Sequence, residues 1–361
     1  MLLATGLRAG NLPPVHTVFV LLLENTAWTN VENNSSAPYI NNALLPIASY
    51  CDQYSTPPSN HPSLPNYLWL EAGTNFGVRA DVWPASNHFN TTNHFVIQLD
   101  QAGISWRAYE EDIDGLEVPL QDTNNYGVRH DPFVYFDDVT GTNDPQNGYA
   151  LAHIRPYNEF VPDLTRNTVA QYNFITPNLI HDGHNAIAPN YDKLQQVDEW
   201  LASEIPKILQ SAAYTNNGAI FIIWDEGTGD MDGPIGMILL SPLARGGGYH
   251  SPVPHTHSST LRTFQEVFGV QPWLGDAANA NDLSELFNIY SFTSVLALPD
   301  HTIQLTVTGT TFGQTTVLQT SSNLFDWVNL STNRATTNPV FFIDQRVTNA
   351  AARFYRCRLE P

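Results

Sequence analysis

Six apolar residues follow one another at Val18–Phe19–Val20–Leu21–Leu22–Leu23, and the run stops at Glu24–Asn25. A half-exposed strand alternates apolar and polar positions. An uninterrupted short run predicts a strand buried on both faces, as in a parallel sheet covered by helices. Ala219–Ile220–Phe221–Ile222–Ile223–Trp224 repeats the pattern and stops at Asp225–Glu226–Gly227. Met237–Ile238–Leu239–Leu240 is a third run, and Tyr172–Asn173–Phe174–Ile175 a weaker fourth. Between residues 176 and 219, Leu194, Val197, Leu201, Ile205 and Ile208 recur at helical spacing, with Asp198, Glu199 and Lys207 assigned to the opposite face. Strand, helix and strand in this order predict a crossover unit and an α/β sheet. Further helices are predicted from Ser63 and from about Ser258 through Phe268.

From about Asp300 the texture changes. Thr302–Val307 alternates polar and apolar, and residues 316–319, 341–344 and 353–358 have the same short-strand character. Stretches such as Ser331–Thr332–Asn333 and Thr336–Thr337–Asn338–Pro339 separate them as turns. The expected organisation is therefore an α/β domain over residues 1–299, with a largely parallel central sheet flanked by helices. A small antiparallel β module follows over residues 300–361, and it has to bury Leu305, Val307, Leu324, Trp327 and Phe342.

Charge narrows the function. The chain has 361 residues with 15 Lys+Arg against 35 Asp+Glu, a formal charge of −20. Only Lys193 and Lys207 are lysines, and no basic stripe exists, which excludes nucleic-acid binding. Two cysteines, Cys51 and Cys357, exclude a disulfide scaffold and a Cys-based zinc ribbon. No apolar stretch reaches the length of a transmembrane helix. Met1 to Gly10 is too short for a complete signal peptide, so a periplasmic or secreted protein with its signal absent or removed is expected. The acidic field repels anionic substrates, so a phosphate ester requires a local cation.

Two core strands end in adjacent oxygen ligands, Glu24–Asn25 and Asp225–Glu226. Sites in open α/β sheets form at the carboxyl ends of strands. Carboxylates converging there repel one another unless a hard divalent cation sits between them; the alternative is a pair of solvated turns. Asp230 and Asp232 follow closely without EF-hand spacing, as loop acids. In Asn60–His61–Pro62–Ser63–Leu64–Pro65–Asn66–Tyr67, Ser63 occupies the expected N-cap of a helix. A hydroxyl there suits a nucleophile for phosphorus, with free N–H groups to hold phosphate oxygens; plain capping is the alternative. His130, His181, His184, His255 and His257 lie in loop-like segments, where a histidine can protonate a leaving oxygen or be structural.

Leu23–Glu24–Asn25, His61–Pro62–Ser63–Leu64–Pro65–Asn66–Tyr67, Thr176–Pro177–Asn178 with His181–Asp182–Gly183–His184, and Trp224–Asp225–Glu226 occur in the order found in a known family. So do Gly233–Pro234 and His257–Ser258–Ser259–Thr260–Leu261–Arg262–Thr263. Over residues 15–290 the chain resembles the acid phosphatase/phospholipase C family of phosphoesterases. The resemblance implies an alkaline-phosphatase-like fold, Ser63 as nucleophile, and one divalent metal ion (Ca, Mg, Mn or Zn) on Glu24, Asn25, Ser63, Asp225 and Glu226. It places His130, His181 and His184 in the catalytic set and Asn66 and His257 on the substrate. The expected substrate is a small-molecule or lipid phosphate ester. Phospholipase C or another phosphodiesterase, a sulfate or phosphonate ester hydrolase, and a non-catalytic cell-surface binding protein on a hydrolase scaffold are the alternatives.

Overall fold

The computed structural model describes residues 12–229, 231–288, 291–300, 302–310, 315–323, 326–345 and 353–360. Met1–Gly10, Asp230 and Leu324, each named above, lie outside the described residues. The chain forms two compact units, residues 14–287 and a second made of 1–13 with 288–361.

The larger unit is built on an eight-stranded sheet. Its strands are β1 (Thr17–Leu23), β2 (Ser49–Cys51), β3 (Trp106–Glu110), β4 (Ile154–Pro156), β5 (Tyr172–Thr176), β6 (Gly218–Trp224), β7 (Met237–Leu240) and β8 (Tyr249–Ser251). The spatial order is β4-β3-β5-β1-β6-β7-β2-β8. β1 pairs in parallel with both β5 and β6, while β7 runs antiparallel to β6 and β2. Every residue from Val18 to Leu23 and from Gly218 to Trp224 is buried, as the unbroken apolar runs predict. The predicted crossover between β5 and β6 skips a position, because β1 lies between them. Strands β2, β3, β4 and β8 are short or aromatic-rich pieces that carry no such run, and the pattern did not reveal them.

The three predicted helices form as α1 (Ser63–Ala72), α2 (Lys193–Leu209) and α3 (His257–Phe268). α2 buries Val197, Leu201, Ile205 and Ile208 as expected, but Asp198 is also buried. Its carboxylate accepts from the backbone N–H of Tyr39 (2.9 Å) and Ile40 (2.7 Å), so a polar side chain serves the inner face by satisfying a neighbouring turn. α3 starts with a capping box between Thr256 and Ser259. Ser63 is the first residue of α1 rather than its N-cap; Pro62 holds that position and offers no capping side chain.

The smaller unit contains two three-stranded antiparallel sheets. Strand Ser291–Ala297 pairs with Ile303–Thr308, so this unit takes in residues before 300. Ser331–Thr332–Asn333, expected as a turn, lies inside strand Val328–Arg334. That strand is largely exposed, so it shows no apolar alternation. Leu305, Val307 and Phe342 join the core with Ile303, Leu318, Ala335 and Val340. Trp327 is only half-buried and carries the Arg356 guanidinium 4.3 Å above its ring.

Candidate active site

The register of β1 and β6 places Leu23 beside Trp224, so Glu24 and Asp225 leave the sheet side by side. The Asp225 N–H donates to the Leu23 carbonyl at 2.9 Å and the Asn25 N–H donates to Asp225 Oδ1 at 3.0 Å. The loop after β5 closes the third side: the Glu24 N–H donates to the Asp182 carbonyl at 2.9 Å. Gly183 makes this turn possible. Its φ is +93°, and a Cβ there would come within 2.9 Å of Val197 Cγ2.

α1 delivers the hydroxyl. Ser63 Oγ donates to Glu24 Oε2 at 3.1 Å and is buried. One turn later Tyr67 donates its hydroxyl to Glu24 Oε1 at 3.1 Å. Asn66 is oriented by Asn60, whose amide donates to Asn66 Oδ1 at 3.0 Å, leaving Asn66 Nδ2 to donate to Glu226 Oε2 at 3.2 Å. Glu226 gathers the rest: Asn25 Nδ2 donates to Oε1 at 2.7 Å and His61 Nδ1 to Oε2 at 2.6 Å. Both its oxygens are thus engaged by hydrogen-bond donors. The second N–H of the helix is also in use, since Leu64 N–H donates to Asp81 Oδ1 at 3.0 Å.

Three buried carboxyls meet without a matching positive charge. Burial, and then the nearby Asp225 and Asp182, push the Glu24 carboxyl well above the usual carboxylate range. Burial and Glu226 push Asp225 up to about 7, with the Ser63 hydroxyl pulling the other way. Burial also raises Asp182 well above its ordinary value. His130 stacks on Tyr67 with ring centroids 4.8 Å apart. Its Nε2 lies 3.0 Å from Glu24 Oε1 and its Nδ1 3.1 Å from Asp182 Oδ2, yet neither nitrogen makes a hydrogen bond. Burial, with Arg129 and His184 adding, holds His130 well below the ordinary histidine range and hence neutral.

Such a set fits a divalent cation. Glu24, His130 and Asp182 each offer a ligand atom within 4.8 Å of the others, and Asp225 Oδ2 is buried without a partner. Orphaned carboxylate oxygens are donors for Mg, Mn or Ca, and a neutral imidazole beside them is a donor for Zn. The expected ligands Glu24, Asn25, Ser63, Asp225 and Glu226 are brought together here, with Asp182 and His130 added to them.

The remaining expected residues are placed differently. His181 lies apart, its Nδ1 2.8 Å from Glu111 Oε2. His257 is fully buried behind the site; its Nε2 donates to the Asp225 carbonyl at 2.7 Å and its Nδ1 accepts from the Tyr54 hydroxyl at 3.0 Å. Both ring nitrogens are spent, which removes it from direct contact with a substrate. His184 Nε2 accepts from Arg129 Nη2 at 3.1 Å. Burial lowers its pKa, and the positive charges of Arg129 and Lys193 add to that, so it is a poor proton donor as it stands.

Asp182, His61, Tyr67 and Arg129 were not singled out from the sequence. Asp182 lies inside the His181–Gly183–His184 segment and Tyr67 one turn after Ser63, so proximity in sequence was their signal. Arg129 had none: it is defined by Asp81 at 3.7 Å, Asp122 at 3.8 Å and His184, which come from separate loops.

Residues 33–271 match the model of the Phosphoesterase family. The chain is 26% identical to a phosphatidylinositol-3-phosphatase of Mycobacterium tuberculosis over 78% of this chain and 86% of that protein. It is 27% identical to a probable acid phosphatase of Kluyveromyces lactis over 58% of this chain but only 47% of that one, so it spans about half of that yeast relative. Among solved structures, a protein in the alkaline phosphatase superfamily from Vibrio parahaemolyticus aligns with a TM-score of 0.51 at 10% identity, covering 82% of this chain and 78% of that one. That similarity is one of fold.

Proposed function

Because the chain belongs to the Phosphoesterase family and is a phosphoric ester hydrolase, we propose that it works through Ser63 as nucleophile, with a phosphoserine intermediate and one divalent cation. The observation that carries this is the Ser63 hydroxyl, donating to Glu24 within a buried cluster whose carboxyls outnumber the nearby Arg129 charge. When bound, the cation neutralises that cluster and lowers the pKa of the hydroxyl. Glu24, Asp225 and Asp182 with Ser63, His130 and Asn25 are the residues to hold it.

Ser63 gives its proton to Glu24 Oε2, the acceptor it already faces at 3.1 Å. Its oxygen forms a bond to phosphorus, and the ester P–O bond breaks with the electron pair leaving on the alcohol oxygen, which takes a proton from water. A water molecule then attacks phosphorus; the bond to Ser63 breaks and Ser63 recovers its proton. Arg129 is the positive group nearest the site for the phosphoryl oxygens; the Asn66 amide, expected there, spends its N–H groups on Glu226 and the Pro62 carbonyl. His61, His257 and Asn60 are positioning residues for the Glu226, Asp225 and Asn66 groups they bond.

Phosphomonoesters are the favoured substrates, supported by the phosphatase names of the relatives. A lipid headgroup phosphate is a second reading, favoured by the mycobacterial relative, which is matched over most of its length. A location outside the cytoplasm belongs to the same proposal; among the described residues no helix is long and apolar enough to cross a membrane. The test is turnover of 4-nitrophenyl phosphate before and after chelation, together with mass spectrometry of acid-quenched enzyme. Activity lost on chelation and a phosphate mass on the peptide containing Ser63 are expected. Full activity in metal-free enzyme, or a label elsewhere, overturns the proposal.

A further inference from the structure

A cavity of about 770 Å³ reaches the Ser63 cluster through Asn25, which bonds Asp225 and Glu226. Its lining includes Asn25, at the site, and His184, which is bonded to Arg129. Asn30, Asn34, Asn190 and Lys193 also line it. This volume lies in the range of small-molecule sites and far exceeds what one phosphate fills.

The chemistry of the wall selects what enters. Among the described residues the Asn30 carboxamide makes no hydrogen bond, and Asn190 uses only its Nδ2, toward Gln195 at 3.1 Å. These open amides match hydroxyl groups, which donate and accept at one atom. Leu194 and Tyr191 are the only large apolar side chains in the wall, so an acyl chain would cover amides without replacing their hydrogen bonds to water.

Lys193 adds a charge. It is one of two lysines in a chain of charge −20, and the other, Lys207, is paired with Glu204 at 2.5 Å. Among the described residues Lys193 has no carboxylate partner, while the neighbouring Asp192 is occupied by Ser36 at 2.6 Å and the Gln195 N–H at 3.0 Å. Arg129, behind His184, is flanked by Asp81 and Asp122. The cavity lining thus presents amides, the Lys193 ammonium and, beside it, an Asp192 carboxylate already engaged by Ser36 and the Gln195 N–H.

We infer that the cavity between Asn25 and Lys193 is the leaving-group subsite, and that it takes a hydroxyl-rich alcohol bearing a second anionic group. The inference rests on the phosphoester-hydrolase reading above. A free polyol bisphosphate and the headgroup of a phosphoinositide share this chemistry.

The test compares kcat/KM for fructose 1,6-bisphosphate, fructose 6-phosphate, a phosphoinositide in phosphatidylcholine vesicles and 4-nitrophenyl phosphate, in the wild type and in Lys193→Ala. The bisphosphate or the phosphoinositide is expected to exceed fructose 6-phosphate about ten-fold, the scale of one charge-assisted hydrogen bond. Lys193→Ala is expected to lower the ratio of that substrate to 4-nitrophenyl phosphate by a similar factor. A drop confined to the vesicle substrate identifies a lipid headgroup, and one confined to the soluble sugar a free polyol; either supports the subsite. No preference for the second anionic group, or a ratio that Lys193→Ala leaves in place, overturns it while turnover of 4-nitrophenyl phosphate keeps the hydrolase reading intact. No turnover of any ester by metal-loaded enzyme overturns both.

Discussion

His257 Nε2 donates to the backbone carbonyl of Asp225 at 2.7 Å, from inside the protein. Burial holds the His257 pKa down to about 4, so the ring is neutral at physiological pH. A carbonyl can only accept, which fixes the proton on Nε2 and leaves Nδ1 to accept from Tyr54. Tyr54 in turn lies 2.7 Å from Thr260 Oγ1, on the same helix as His257. α3 therefore sets the direction in which Asp225 leaves β6.

His257→Ala should lower both metal affinity and turnover by about 10–100-fold, the usual effect of removing a partner behind a ligand. His257→Gln can still donate to the carbonyl and should recover part of the loss. The check is metal titration followed by kcat and KM. A change in KM alone, with normal metal affinity, would instead put His257 on the substrate.

Ser63→Ala should reduce turnover by about 10³-fold or more while the protein keeps its fold. Only one hydrogen bond is lost, about 1 kcal/mol, since Ser63 does not cap its helix. Kinetics on the folded variant decide this; activity above about a hundredth of wild type removes Ser63 as nucleophile.

Asp182→Asn should have opposite effects on the metal-free and metal-loaded protein. Without metal, the variant relieves a buried carboxyl that crowds Glu24 and Asp225, so it should unfold at higher temperature than metal-free wild type. With metal, the stabilisation on loading should shrink because a ligand is gone. Thermal unfolding with and without added metal checks both. Equal metal-induced shifts in the two proteins would remove Asp182 from the ligand set.

The end of α1 makes stability pH-dependent. His94 is buried with Nδ1 2.8 Å from Glu71 Oε1 and Nε2 3.1 Å from Asp138 Oδ1. Burial alone would lower its pKa, but the bonds to Asp138 and Glu71 outweigh that and raise it. Burial raises Glu71 as well. A raised folded-state value means the folded protein binds the proton more tightly. The contribution of His94 is thus fully present below about pH 6.5 and is lost as pH rises through the folded value. Urea unfolding from about pH 6 to about pH 9 should show wild type losing more stability than His94→Gln. Parallel curves would show that the pair does not titrate in this window.

Ending the chain after Phe287 should leave turnover of the folded fraction near that of the full chain. Every residue assigned to the site lies within residues 14–287, which form a compact unit with their own sheet. Kinetics on monodisperse, metal-loaded truncated protein test this. A folded, loaded and inactive product would assign part of the site to residues 288–361.

The sequence by itself determined the core strands and where they end. A run of six apolar residues can be buried on both faces only in the middle of a covered sheet, so β1 and β6, and with them Glu24 and Asp225, were legible without coordinates. The helix at Ser63 was legible from its own local signal, a serine followed by proline in the first turn, although Pro62 rather than Ser63 is the N-cap. Tertiary structure decided what the polar residues do, because a histidine or carboxylate carries no periodic signal of its partner. His181 and His184 are three residues apart, yet one faces Glu111 and the other Arg129. Asp182, between them, points its carboxyl at His130, fifty-two residues away in the chain. The exposed strand Val328–Arg334 read as a turn because its pairing is made by backbone groups, which every residue shares. Burial patterns are written along the chain; hydrogen-bond and charge partners are chosen across it, by which loops the sheet order brings to one edge.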